Sequence, residues 1–470
     1  MEGAVVSEAP DRDGGRVGRA IHAFVAELYP ICRSITGDGV RRTLRLIQRE
    51  VPLAIHEVPT GTRVFDWEVP PEWNIRRASV RDRHGRVLVD FADHNLHLVS
   101  YSEPVRATLD ADDLRAHLHT LPDHPDWIPY RTSYYSRTWG FCLRHRDLGA
   151  LADGPYDVLV DSSLARGSLT YGEAVITGTT RDEVLLFAHC CHPSLANDNT
   201  SGMAVATWLA RWLASEPRRF TYRVVFAPGT IGSLCWLQRN ERRLSRVRHG
   251  LVLALLGDPS ALTYKQTPSG RAEIDDIARY VLAEPPRAGR VIPFEPYGYD
   301  ERQLCSPGFD LPVGRLTRAV NGGYPEYHSS ADDLALVTPE RLAQSLEACR
   351  RIVDVIEGNG RYRNLSPKGE PRLGARGLYG SVGGREPKTR ERAMLWTLSR
   401  SMGETSLLDI AVQSGLGFDA VRDAARDLER ARLLRAVAAA PSAERAATRR
   451  PRPARRPRSR RTSRTTRSAR

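Results

Sequence analysis

Apolar and polar positions divide the chain into stretches of different period. Four short apolar runs read as strands: EVLLFAH ending at His189, YRVVFAP ending at Pro228, GLVLALLG ending at Gly257 and PVGRLTR ending at Arg318. A 3.6-residue period predicts helices after the first two, from about Thr200 to Ala214 and from Ile231 to Asn240. Strands alternating with helices point to an α/β domain with a mostly parallel sheet covered by helices. A helical stretch from about Arg16 to Glu50 precedes this region. From Val64 to Leu143 the pattern changes to Trp- and Pro-punctuated short runs such as ASVRD and VLVDF, joined by a turn at His84-Gly85, which read as a β-rich inserted subdomain. Near the end, LLDIAVQSGLGFDAVRDAARDLERARLLR from Leu407 carries two apolar-periodic helices around a turn at Gly415, the grammar of a helix-turn-helix.

The 470 residues suffice for two or three folded units. A Gly/Pro-rich connector at 359–388 and a Pro/Arg/Ser/Thr-rich end after Pro441 punctuate them. The expected organisation is an α/β domain at 16–63 and 144–358, the inserted subdomain at 64–143, the connector at 359–388, a small helical domain at 389–440 and a disordered tail at 441–470. No run approaches the roughly 18 apolar residues of a membrane span, and Met1 to Arg19 lacks a signal peptide's apolar core, so a cytoplasmic protein without membrane contact is expected. The 7 cysteines, an odd number without ribbon spacing, suggest reduced thiols. A formal charge of +13 traces to the tail, where Arg449 to Arg470 holds eleven arginines and no acid. Nucleic acid is therefore expected only as a non-specific contact of the tail, because the second helix of the helix-turn-helix is acidic as well as basic.

Two clusters carry metal-binding chemistry. FAHCCHPSLANDNTSG, from Phe187 to Gly202, sets His189, His192 and Asp198 between a strand and a helix, and zinc is held by such N and O donors. Asp198 could equally cap the helix. YPEYHSSADDL, from Tyr324 to Leu334, places His328 four residues before Asp332, a spacing that lets a carboxylate orient the imidazole, while Asp332 or Asp333 could also cap the following helix. Both clusters fall at strand ends of one sheet, where α/β proteins gather ligand groups. Adjacent Cys190 and Cys191 point apart on extended backbone and read as buried thiols. Tyr134, Tyr135, Trp139 and Phe141 fit either a pocket wall or core packing.

Long strings, YPICRSITGDGVR at Tyr29, FDWEVPPEWNIR, IPYRTSYYSRTWGF, GSLTYGE, CHPSLANDN, DERQLCSPG and YPEYHSSADDL, cover about Tyr29 to Leu434. Through them the chain resembles bacterial aminopeptidase-like proteins linked with polysaccharide biosynthesis, whose core is similar to co-catalytic zinc aminopeptidases and which carry a C-terminal winged-helix-like unit. The resemblance implies one or two Zn2+ ions, a metal-dependent hydrolase acting on an amide or peptide bond next to a free amine, a small peptide or aminoacyl substrate, and a chain that can form a homo-oligomer. It implies His192 and Asp198 as first ligands, with His189 competing with His192, and His328 as the late histidine ligand. Asp258 matches a strand-end aspartate of those enzymes, and Asp300 and Glu301 of DERQ look like catalytic pocket residues. One departure stands out: at APGTIGS, Gly229 takes the place of the glutamate that serves those enzymes as ligand or general base, and this opens the alternative of a non-catalytic binding protein.

Overall fold

The computed structural model describes residues 14–151, 154–320, 322–378 and 388–437. These form two compact units that divide between Gly358 and Asn359. The tail expected at 441–470 lies outside the described residues.

The four runs expected as strands form the centre of an eight-stranded sheet. In spatial order its strands are Ala54–Pro59, Ser168–Ile176, Thr221–Ala227, Glu183–His189, Val247–Leu253, Val313–Thr317, Thr263–Lys265 and Arg290–Ile292. The third to sixth are mutually parallel and antiparallel pairing flanks them, so the sheet is mixed around a parallel core. Glu183–His189 is buried along its whole length, as a strand covered on both faces must be, which explains its unbroken apolar run. Helices Gly202–Ala214 and Ile231–Asn240 follow their strands as expected. The N-terminal helical stretch is two helices, Gly14–Leu28 and Asp38–Glu50, because Pro30 and the left-handed Gly37 (φ 96°) interrupt it. The first packs on helix Pro339–Gly358 so closely that a Cβ on Gly18 would lie 2.2 Å from the Pro339 carbonyl oxygen.

The inserted β-rich region reaches further than expected. Its four-stranded sheet runs Val87–Asp90, Glu72–Asp82, Tyr156–Ala165 and Val105–Leu109. Tyr156–Ala165 pairs with Glu72–Asp82 over its length, so the boundary expected at residue 143 moves to about Ala165. The apolar alternation of YDVLVDSSLA is that of a half-buried strand and belongs to this sheet.

In the second unit, helices Thr389–Arg400, Leu407–Ser414 and Phe418–Arg430 accompany a three-stranded sheet ordered Met402–Ser406, Arg361–Asn364 and Leu434–Val437. Part of the stretch read as a connector is therefore a strand of this unit. Ser406 caps its helix by accepting from the Asp409 amide, and left-handed Gly415 ends it, making the turn read from the sequence. No helix among the described residues is long and apolar enough to cross a membrane.

Candidate metal centre

The loop after strand Glu183–His189 folds over the C-terminal ends of the parallel strands. It is held from three sides. Arg33, itself buried, donates to the His192 carbonyl at 2.8 Å and to Thr200 Oγ1 at 3.0 Å. The Asn199 amide donates to the Leu253 carbonyl at 3.1 Å and accepts from the Leu255 amide at 3.1 Å, tying the loop to the next strand. Asp332 accepts from the backbone amides of Asn197 at 2.5 Å and Asp198 at 3.0 Å. Ala196–Ser201 makes a distorted turn before the helix, and Asp198 within it has φ −106° and ψ 90°, so it is not a helix cap.

Asp198 is the hub. One carboxylate oxygen, Oδ1, lies 2.9 Å from His189 Nε2, and the other, Oδ2, lies 3.0 Å from His328 Nε2. His192 Nε2 is 4.0 Å from Oδ2. The donor atoms of His189, His192 and Asp198 all fall within 4.8 Å of one another. Burial pushes the Asp198 pKa up, but His192, His189 and His328 outweigh it and hold the carboxyl well below the usual range. Burial lowers His192 to about 3, so its ring is neutral and keeps a lone pair to offer a cation. His328 takes a left-handed backbone (φ 58°), uncommon outside glycine and characteristic of constrained functional positions. Its amide carbonyl accepts from the Tyr130 amide at 2.8 Å, and the Tyr130 ring stands 5.1 Å from both the His192 and the His328 rings.

The donor set fits a zinc-like ion. Zn–N and Zn–O bonds of about 2.0–2.2 Å can span N···O separations of roughly 3–4 Å, and a carboxylate that faces an imidazole with each oxygen can serve one ion or two.

The structure reorders the expected site residues. His189, not His192, makes the direct contact with Asp198. Asp258 does not join the cluster: its carboxylate accepts from Asn197 Nδ2 at 2.9 Å and from the amides of Ser260 and Ala319 at 2.9 and 3.2 Å, a loop-pinning role. Glu301 is held by Lys265 Nζ at 2.9 Å with Arg315 at 3.8 Å, and these two cations outweigh burial to lower its pKa, so it is an ion-pair partner instead of a pocket base. Asp332 binds the two loop amides and the Tyr324 hydroxyl in place of the His328 ring. Asp300 does reach the cluster, from behind. Its Oδ1 accepts from the Thr230 amide at 3.2 Å, and its Oδ2 faces His189 Nδ1 at 3.8 Å. Burial, partly offset by His189, raises Asp300 to about 6.

At Gly229 the expected glutamate is replaced in space as well as in sequence. A Cβ there would lie 1.8 Å from a Tyr299 ring carbon and 2.5 Å from its hydroxyl oxygen. Tyr299 covers His189 with ring centroids 4.4 Å apart, and its hydroxyl is 3.5 Å from Cys191 Sγ, which also accepts from the Gly229 amide at 3.2 Å. All seven cysteines are free, and Cys190 and Cys191 are buried as expected. Of the aromatics considered for a pocket, Tyr134 reaches the site through its hydroxyl, 3.0 Å from that of Tyr130, while Phe141 is core and Trp139 stacks on His117. Arg33, Tyr130 and Tyr299 had no role in the sequence reading. The first two lie inside strings singled out by resemblance, and the third directly precedes one.

A mixed sheet with histidine and aspartate donors at its parallel strand ends, followed by a helix-turn-helix unit, defines a zinc-aminopeptidase-like fold with a C-terminal winged helix. A family profile described as a domain of unknown function, DUF4910, matches residues 22–359, and a winged helix-turn-helix profile matches residues 360–436. The chain belongs to the DUF4910 family. A Clostridium acetobutylicum protein named for polysaccharide biosynthesis and an aminopeptidase-like domain is 47% identical over 427 residues, 91% of this chain and 98% of that protein. A crystal structure from the same organism, described as a peptidase, matches with a TM-score of 0.86 at 46% identity over 91% of this chain and 98% of its own. The zinc aminopeptidase BSAP from Bacillus subtilis shares the fold at a TM-score of 0.54 and 14% identity, over 72% of this chain and 94% of its own.

Proposed function

We propose that this chain holds one or two zinc-like ions on His189, Asp198 and His328, with His192 beside them, and hydrolyses an amide or peptide bond next to a free amine. The observation that carries the reading is the Asp198 carboxylate, buried and set between two imidazoles. When bound in such a site, zinc supplies Lewis acidity toward a carbonyl and toward water. The chain's own residues do the rest. Asp300 places a carboxylate oxygen behind the ring, 3.8 Å from His189 Nδ1 and beyond hydrogen-bond reach, while His189 Nε2 faces Asp198. Tyr130 and Tyr299 wall the cluster and keep bulk water from it. With Gly229 there is no carboxylate at the position of the general base, and the turnover is lower by about 10²- to 10⁴-fold than with one.

The packing of Tyr299 against Gly229 favours a second reading, a binding protein that keeps the ion and the ligand pocket without turnover. The name of the C. acetobutylicum relative makes aminoacylated amino sugars the first substrates to screen, beside aminoacyl amides and small peptides. The free cysteines fit a reducing, cytoplasmic setting. The test is product formation by mass spectrometry with zinc-loaded and chelator-treated full-length protein. Slow, zinc-dependent cleavage is expected. Zinc-dependent ligand binding without cleavage would replace the hydrolase by the binding protein.

A further inference from the structure

The loop at 293–299 joins strand Arg290–Ile292 to helix Asp300–Leu304 and lies outside every helix and strand. Backbone of this kind needs partners elsewhere, and here a buried ion pair supplies them. Lys265 Nζ donates to the Tyr297 carbonyl at 2.6 Å and to Glu301 Oε1 at 2.9 Å, and Glu301 Oε2 accepts from the Tyr299 amide at 3.3 Å. The two bonds to the loop backbone stand on either side of Gly298. There the chain lies so close to the pair that a Cβ would meet Glu301 Oε1 at 2.1 Å and Lys265 Nζ at 2.7 Å. The Lys265 ammonium also stands 5.3 Å from the centre of the Phe294 ring, so one head group holds the loop near both its ends. Lys265 is the one lysine before Lys368, among many arginines. Its compact ammonium suits two oxygens and a ring face better than a planar guanidinium would.

The same loop reaches the metal centre by direct contact. Its outer part is open to water, with Tyr297 at 67% exposure, whereas Tyr299 turns inward. The Tyr299 ring stands 4.4 Å from the His189 ring and 5.8 Å from the His192 ring, its hydroxyl is 3.5 Å from Cys191 Sγ, and it fills the space beside Gly229. Cys191 is fully buried. A loop exposed on its outer side and seated on a site by its inner end opens at low cost unless something fastens it. A buried ion pair adds little net stability, because desolvation of both charges offsets their attraction. What this pair supplies is direction, since its bonds to the Tyr297 carbonyl and the Tyr299 amide aim the Tyr299 ring.

We propose that Lys265 and Glu301 are positioning residues: their ion pair latches the loop at 293–299 and so holds Tyr299 over His189 and Cys191, which sets how readily an ion or a substrate reaches the centre. The last clause rests on the metal centre proposed above, and the latch itself does not. The experiment is the rate at which a maleimide labels Cys191 in metal-free full-length protein, located by peptide fragmentation. Buried Cys349 in helix Pro339–Gly358 is the reference for global opening, and zinc uptake is measured alongside. Lys265→Met and Gly298→Ala should each speed Cys191 labelling by about ten- to a hundredfold, the worth of one charge-assisted hydrogen bond, and leave Cys349 as slow as in the wild type. Tyr299→Ala should do at least as much, and Lys265→Met on top of it should add nothing, because a latch acts only through the ring it holds. Lys265→Met leaves Glu301 facing Arg315, and Gly298→Ala keeps both charges of the pair, so either variant carries the test if the other melts low. Coupled labelling in a protein that takes up no zinc upholds the latch and removes only the metal centre. Cys191 labelling that is unchanged by Lys265→Met and Gly298→Ala, additive with Tyr299→Ala, or matched by an equal rise at Cys349 overturns the proposal.

Discussion

Asp198 takes its charge and its place from neighbours far along the chain: His189 before it, His328 well after it, and Asp332 on its amide. His189→Ala should therefore weaken zinc binding more than His192→Ala, because only the first removes a donor at 2.9 Å from the hub. Calorimetric titration of the two variants checks the order, and an equal or reversed loss would restore His192 as the primary ligand. Gly229 bears on catalysis. Gly229→Glu alone should lower the melting temperature, since its Cβ collides with the Tyr299 ring, an overpacking cost of about 1–3 kcal/mol. The pair Gly229→Glu with Tyr299→Ala should relieve the collision and raise amide hydrolysis about 10²-fold. A double-mutant cycle in rate and stability measures that coupling. Additive effects would mean that Tyr299 does not hold the space of the missing carboxylate. That His189, Asp198 and His328 come together was legible in the sequence because both clusters fall at strand ends of one sheet. Their ranking was not, and neither was Tyr299 over Gly229, because both depend on contacts between residues some 70 to 130 positions apart.

Elements, in turn, are legible where one period dominates. The four central strands and helix Ile231–Asn240 follow from their own apolar patterns, while Tyr156–Ala165 was missed because its partner, Glu72–Asp82, is distant in sequence. The join between the inserted sheet and the main one is a charged cluster. Arg41 on helix Asp38–Glu50 reaches both Glu72 oxygens at 2.7 Å and also Glu57 on the edge strand. Hydrogen bonds from Arg41 overcome partial burial and lower Glu72 from 4.5 to about 2. A depressed carboxylate contributes stability above its unfolded pKa and loses it as pH falls through the folded value, so this contribution should fade between pH 4.5 and about 2. Glu72→Gln should cost about 1–2 kcal/mol at pH 7 and flatten that acid limb. Urea unfolding at a series of pH values tests it, and an unchanged acid limb in the variant would show that Glu72 is not the responsible group.

At the scale of the whole molecule, the charge of +13 resides mainly in the eleven arginines from Arg449 to Arg470. Deleting 441–470 should leave the melting temperature and zinc content unchanged and should abolish any steeply salt-dependent, sequence-independent nucleic-acid binding. Equal nucleic-acid affinity with and without the tail would move that contact to a folded unit. The division at Gly358 was visible as a change of composition, whereas Arg361–Asn364 looked like connector because four residues without a strong apolar pattern acquire meaning only beside Leu434–Val437. The central claim is the metal centre itself, and zinc titration of the metal-free full-length chain against Asp198→Asn tests it most directly. We predict one or two equivalents bound by the wild type and an affinity at least about 100-fold weaker in the variant, which keeps the shape of the hub but loses its charge. A wild type that takes up no zinc, or a variant that binds as tightly, would contradict the account.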